Sequence, residues 1–286
     1  MCRLNSFRDH NRCATARRAA RRGLTLVELL LAAAVSAILV GALSTLSATV
    51  RQNSTFNQGQ QDAVQHASVV FDRIAHYVDA AYATETYPGA VVVADLVGTT
   101  RYPDTLLIWR PATTPANPAG PPLVRELIII CPDPSDATQL VEITRPSDTR
   151  TIELNDASLN TSTGRTFVSG LKTAAGATKV LLTPLVRTAS ASATNGTTSM
   201  RAAVRFECEL HPTAAEVSAC RSGSTAWTNL NWPQGLYSSS AGMRQVWVRG
   251  EVQLIGKSRS ADGTVAADAA TLPFFGSATK YYTLPK

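Results

Sequence analysis

The sequence lacks the short motifs that carry the commonest chemistries. There is no GxSxG nucleophile turn, no HExxH zinc helix, no P-loop and no GxGxxG dinucleotide turn. With these gone, nothing in the pattern points to an enzyme or to a bound cofactor. Histidine is scarce, with four in 286 residues, and there is no CxxC pair. A zinc site therefore has no ligand spacing to stand on, and only His211 lies near the cysteines. His66, Asp72 and His76 are close in sequence, but histidines ten apart do not share a helical face, so no metal is expected there. Asp133 and Asp136 in "CPDPSD" lack the further oxygen ligands of a calcium loop and are expected to form a solvated turn.

An excess of positive charge is also lacking where it would matter. The net charge is +6, but seven of the 27 basic residues, and only one of the 21 acidic ones, lie in residues 1–23. The remainder carries 20 of each and is neutral. The basic character belongs to the N-terminal segment, and no nucleic-acid partner is expected. Aromatic residues make up 6%, and Trp227, Trp232, Trp247 and Tyr237 are expected in a core rather than on a sticky surface. The five cysteines are Cys2, Cys13, Cys131, Cys208 and Cys220. The loop between Cys208 and Cys220 allows a disulfide outside the cytoplasm, worth about 3 kcal/mol. Free thiols suit the spacing equally well, and Cys131 is left over in either case.

What is present begins with "RRGLTLVELLLAAAVSAILVGALS", Arg21 to Ser44. From Leu24 to Val50 the only charge is Glu28. As a helix this run would reach roughly 40 Å, enough to cross a ~30 Å hydrocarbon core. The preceding arginines orient it with its N-terminus in the cytoplasm and the following chain exported. A plain signal anchor leaves Glu28 unexplained, because an acidic group costs about 2.5–3.5 kcal/mol at the centre of a span and less near its end. Ala33, Ala37 and Gly41 recur at i, i+4, i+8. This spacing allows close helix packing in lipid, though an alanine-rich span also produces it by chance.

This stretch resembles the cleavage and methylation signal of type IV prepilins and type II secretion pseudopilins. The shared pattern is a basic leader, Gly, a large apolar residue, Thr, Leu, and Glu at the fifth mature position. The resemblance implies that a membrane aspartyl prepilin peptidase cuts after Gly23 on the cytoplasmic side and methylates the new N-terminus at Leu24. Leu24 stands where the family usually has Phe. The apolar run is then retained, and Glu28 faces the cut amine of its own or a neighbouring subunit. A carboxylate in a low-dielectric bundle is tolerated when paired, so Glu28 would set the stagger of assembling subunits.

Beyond Val50 the helical pattern continues without proline. Val64, Ala67, Phe71, Ile74 and Val78 fall at spacings of three and four, and Gly59 weakens the middle by about 1 kcal/mol. "TYPG" at Thr86–Gly89 is the stop signal, giving one helix of about 60 residues. Short apolar runs follow from Ala90 onward, with a possible bulge at Gly250 in the last clear strand. "PATTPANPAGPP", "TASASATNGTTS" and "SADGTVAADAAT" read as loops.

The expected fold is α+β, with a long N-terminal helix as spine, packed on an antiparallel β-sheet domain as in pilins. Its segments are a basic leader at 1–23, a transmembrane half at 24–50, an amphipathic half at 51–86 and an exported β-rich domain at 87–286. The size of this domain, "QHASVVFDRIAHYV" and "QVWVRGEVQLIG…LPFF" resemble the minor class, the PilW-like pilins and J-type pseudopilins. The resemblance implies a structural subunit of a type IV pilus or type II secretion pseudopilus that starts or caps assembly. Its partners would be prepilin peptidase, other pilin or pseudopilin subunits and the bacterial inner membrane. The alternative is a cell-surface binding protein, an adhesin or DNA-uptake receptor, exported on a pilin-type anchor.

Overall fold

The computed structural model describes residues 25–192, 198–230, 241–256 and 271–285. The chain divides into two compact units at Gln52/Asn53, and helix α1, Leu26–Asp79, contributes residues to both.

In the first unit α1 is apolar and exposed on all sides. It is long and apolar enough to cross a membrane. Its hydroxyls are tied to its own backbone: Ser44 Oγ donates to Val40 O at 2.8 Å, Thr45 Oγ1 to Ala42 O at 2.8 Å and Thr49 Oγ1 to Thr45 O at 3.0 Å. These bonds remove the penalty of unpaired polar groups in hydrocarbon.

In the second unit α1 buries Gly59, Ala63, Ala67, Val70, Ile74, Tyr77 and Val78. The stripe differs from the expected one at its start. Ala63 is inside and Val64 is 53% exposed, because the smaller side chain lets the helix approach its neighbours. The helix stops at Asp79 rather than running to Thr86. Tyr82 N is drawn away to Trp109 O at 2.8 Å, so strand pairing ends the helix before the turn does. "TYPG" instead forms the entry to the first strand, with Gly89 at φ 85°, a conformation suited to glycine.

The first five strands form an antiparallel meander: β1 Ala90–Val97, β2 Thr100–Trp109, β3 Leu127–Asp133, β4 Asp136–Thr144 and β5 Thr178–Thr183. Both faces are covered, which explains continuous apolar runs such as "LLIW" and "LIIIC". Leu106, Ile108, Ile128, Ile130 and Leu140 share one core with α1. Leu107, Trp109, Leu127, Ile129 and Ile143 share a second core with α2 (Asp156–Leu159) and α3 (Ser162–Thr173), through Leu159, Val168 and Leu171. A hairpin of β6 (Thr188–Ser192) and β7 (Thr198–Ala202) follows, so "TASAS" is a strand rather than a loop. "TIEL" at 151–154 makes only an isolated bridge, Thr151 to Leu123.

A three-stranded antiparallel sheet of order β10-β9-β8 completes the unit, with β8 Val204–His211, β9 Ala241–Ile255 and β10 Thr271–Pro285. Helix α4, Ala214–Arg221, lies between β8 and β9 in sequence. There is no bulge at Gly250, whose pairing with Gly276 is in register. The glycine is explained by α1 instead. A Cβ on Gly276 would lie 2.2 Å from Phe71 Cδ1, and one on Gly250 3.1 Å from Phe71 Cε1. The two glycines form a notch that receives the Phe71 ring.

Candidate functional site

The first feature is the start of α1. Thr25 N donates to Glu28 Oε2 at 3.0 Å, Thr25 Oγ1 donates to the same oxygen at 3.0 Å, and Glu28 N donates to Thr25 Oγ1 at 3.3 Å. This is a reciprocal capping box, in which the residue before the helix and its third residue satisfy each other's backbone donors. The negative end also faces the positive pole of the helix dipole. Glu28 therefore has a hydrogen-bonding role within its own chain, which the sequence reading missed although Thr-x-x-Glu was legible. The capping bonds engage one carboxylate oxygen, Oε2, without neutralising the charge. Gly23 and Leu24 lie outside the described residues. Ala33, Ala37 and Gly41 are exposed, and nothing lies within 4 Å of a Cβ built on Gly41.

The cysteines come next. Cys208 and Cys220, which the spacing allowed to pair, are free thiols in the structure, as is Cys131. Cys208 is committed elsewhere: its Sγ donates to Ala90 O at 3.3 Å, across to the edge of β1. Burial pushes both Cys131 and Cys208 up to about 12, so neither supplies a thiolate near neutral pH.

Among the described residues, no three His, Cys, Asp or Glu side chains converge as a metal site. Asp133 Oδ1 accepts from Ser135 N at 2.8 Å and from Lys179 Nζ at 3.1 Å, while Asp136 Oδ1 accepts from Thr138 N at 3.0 Å. Both carboxylates are thus turn-forming groups. The aromatic expectation needs correction. Trp247 and Trp227 are only half-buried, and Arg249 covers the Trp247 ring at 4.4 Å. Among the described residues, the fully buried tryptophan is Trp109. Trp232 and Tyr237 lie outside the described residues.

Two clefts border the seam between β1 and β8. The larger, about 820 Å³, is lined by side chains of both charges, including Arg101, Arg201, Glu207 and Glu251. At its wall, Arg201 bonds Asp95 at 3.1 Å and lies 5.5 Å over the Tyr102 ring. Arg201 and Asp95 are thus committed to one another. The smaller cleft, about 340 Å³, is lined by apolar residues, by Arg244 and by the acids Glu85 and Asp156.

Residues 18–44 match the family model described as the prokaryotic N-terminal methylation motif. No curated protein and no solved structure matches the chain. The sequence carries a pilin-type N-terminal signal, and Gly23, Leu24 and Glu28 fall inside the matched stretch.

Proposed function

We propose that the protein is a minor subunit of a type IV pilus or type II secretion pseudopilus and acts where filament assembly starts or is capped. Prepilin peptidase cuts it after Gly23 and methylates Leu24. The apolar part of α1 then anchors it in the bacterial inner membrane, N-terminus in the cytoplasm, until it joins other pilin or pseudopilin subunits. Glu28 is the assembly residue. The observation that carries this reading is the methylation motif at residues 18–44. The α+β body adds support, since its helix buries one stripe against antiparallel strands. In this reading the protein catalyses no reaction, and its work is positional.

The test is the mass of the protein recovered from its own membrane. Wild type should begin at Leu24 and carry one added methyl group. Gly23→Ala, or a bulkier residue, should retain the leader and be heavier by ~2.5 kDa, from 23 residues at ~110 Da each. A wild-type protein that still begins at Met1, or one cut on the far side of the apolar run, would overturn the proposal.

A further inference from the structure

The second unit contains a buried cation with no buried anion to match it. Arg244 is 4% exposed. It sits on β9 directly opposite Tyr282 on β10. Its Nε donates to Pro212 O at 3.0 Å and its Nη1 to Glu85 O at 3.1 Å. Both partners are neutral backbone carbonyls. The nearby Glu85 carboxylate is held by Arg221 through both of its terminal nitrogens, at 2.8 Å for Nη2. Among the described residues, no carboxylate lies within ion-pair distance of Arg244. Beside it lies the buried Tyr282 hydroxyl, against the guanidinium. Burial raises that hydroxyl's pKa, so it remains a proton donor. A buried guanidinium balanced only by carbonyls is an incomplete arrangement.

The space for such a group is present. Arg244 lines the smaller cleft, about 340 Å³, with Val91, Val92, Leu210 and Ala214 as apolar walls. At ~30 Å³ per water this is room for about eleven waters, far more than one hydration site, and it falls in the ~300–1,000 Å³ range of ligand pockets. Arg244 is the one cation lining the cleft, beside two carboxylates, Glu85, which Arg221 already holds, and Asp156, and it fixes the ligand's chemistry. It must carry a single negative group that a planar guanidinium can fork onto, and an aliphatic body to cover Val91, Val92 and Leu210. Asp156 also borders the cleft. Its carboxylate accepts from Asn160 Nδ2 at 2.6 Å and disfavours a second acid group on the ligand.

We propose that this cleft is a binding site for a short aliphatic monocarboxylate, with Arg244 holding the carboxylate. The site is independent of the filament reading and stands or falls separately from it. The test is calorimetric titration of the full-length protein, in a neutral detergent, with hexanoate and with its uncharged analogue hexanamide. Hexanoate should bind, and hexanamide should bind at least about tenfold more weakly, the loss of one charge-assisted interaction. Arg244→Gln should lose the difference between the two. Because that residue is buried, Ala214→Phe provides the second arm: Ala214 is exposed at the start of α4 and lines the cleft, and the larger ring takes up its space. It should reduce hexanoate binding about tenfold or more while leaving the melting temperature unchanged. No binding of hexanoate, equal binding of hexanamide, or undiminished binding by a folded Ala214→Phe protein would each overturn the site.

Discussion

Glu142 is 6% exposed, yet it accepts from Arg73 Nε at 2.6 Å and from Tyr77 Oη at 2.8 Å. Both donors stand on α1, so one carboxylate on β4 latches the helix to the meander. Arg73 is 37% exposed on its side chain and can return to water if released. Tyr77 cannot, since its ring is buried in the core. Glu142→Ala is therefore expected to destabilise the protein by about 1–3 kcal/mol, mostly because the Tyr77 hydroxyl, which also accepts from Arg73 Nε at 2.9 Å, loses its acceptor. Chemical denaturation measures this, and adding Tyr77→Phe should recover part of the loss. Asp148 makes a different kind of contribution. Its carboxylate accepts from Arg150 Nη2 at 2.6 Å and lies 3.3 Å from Arg145 Nε. The Arg150 bond, foremost, holds its pKa at about 2, against an ordinary 3.8. A depressed carboxyl pKa stabilises the fold above the unfolded value, and that stabilisation disappears as pH falls through the folded value. The melting temperatures of wild type and Asp148→Asn should differ by a constant amount down to about pH 4 and converge as the pH nears 2. A gap that persists unchanged at pH 2 would rule the linkage out.

At the scale of elements, the Phe71 notch is the clearest case of sequence choices made jointly. A Cβ on Gly276 would meet Phe71 Cδ1 at 2.2 Å and Cγ at 2.5 Å, so Gly276→Ala should cost about 1–3 kcal/mol through overpacking. In a Phe71→Ala background the same change should cost almost nothing, and equilibrium unfolding of the four proteins gives the coupling directly. A single sequence shows Phe71 as an apolar helix position and Gly250 as a break in a strand. Nothing local says that the two meet, and so the glycine suggested a bulge. The same logic divides what was legible from what was not. Strands buried on both faces stood out because "LLIW" and "LIIIC" leave little else to be. Helix α3, "STGRTFVSGLKT", was hidden by two glycines and a short apolar face. Helix α4 was announced by Thr213 and Glu216, whose capping box is formed, but its eight residues lack a long periodic run. Strand β10 was hidden by its small polar residues, and its place beside β9 comes from pairing over fifteen residues. The N-terminal signal was legible because cleavage and membrane insertion are read from the chain as sequence. The Arg244 cleft was not, because it is assembled from residues between Glu85 and Arg244 that only the fold brings together.

For the molecule as a whole, the question raised by the proposed function is how one carboxylate near the start of an apolar helix would serve both a free subunit and an assembled filament. Before assembly, the capping box gives Glu28 its hydrogen bonds from Thr25, so the helix can start cleanly with the acid in place. The charge remains, and in a low-dielectric bundle it is relieved only by a positive partner. The cut amine of Leu24, in the same or an adjoining subunit, is such a partner under the proposed processing. The two roles separate by substitution. Glu28→Gln keeps an amide oxygen that can complete the capping box but carries no charge. Thr25→Ala removes the hydroxyl of the cap and leaves the charge intact. If charge pairing drives incorporation, Glu28→Gln should be cleaved and held in the membrane at wild-type levels, yet be reduced at least about tenfold in sheared filaments. Thr25→Ala should lose only the ~1 kcal/mol of a cap and be incorporated much more fully. Immunoblots of the membrane and filament fractions compare the two. Equal incorporation of Glu28→Gln and wild type would leave Glu28 as a helix cap alone, and the stagger of subunits would have to be set by the surfaces of the folded body.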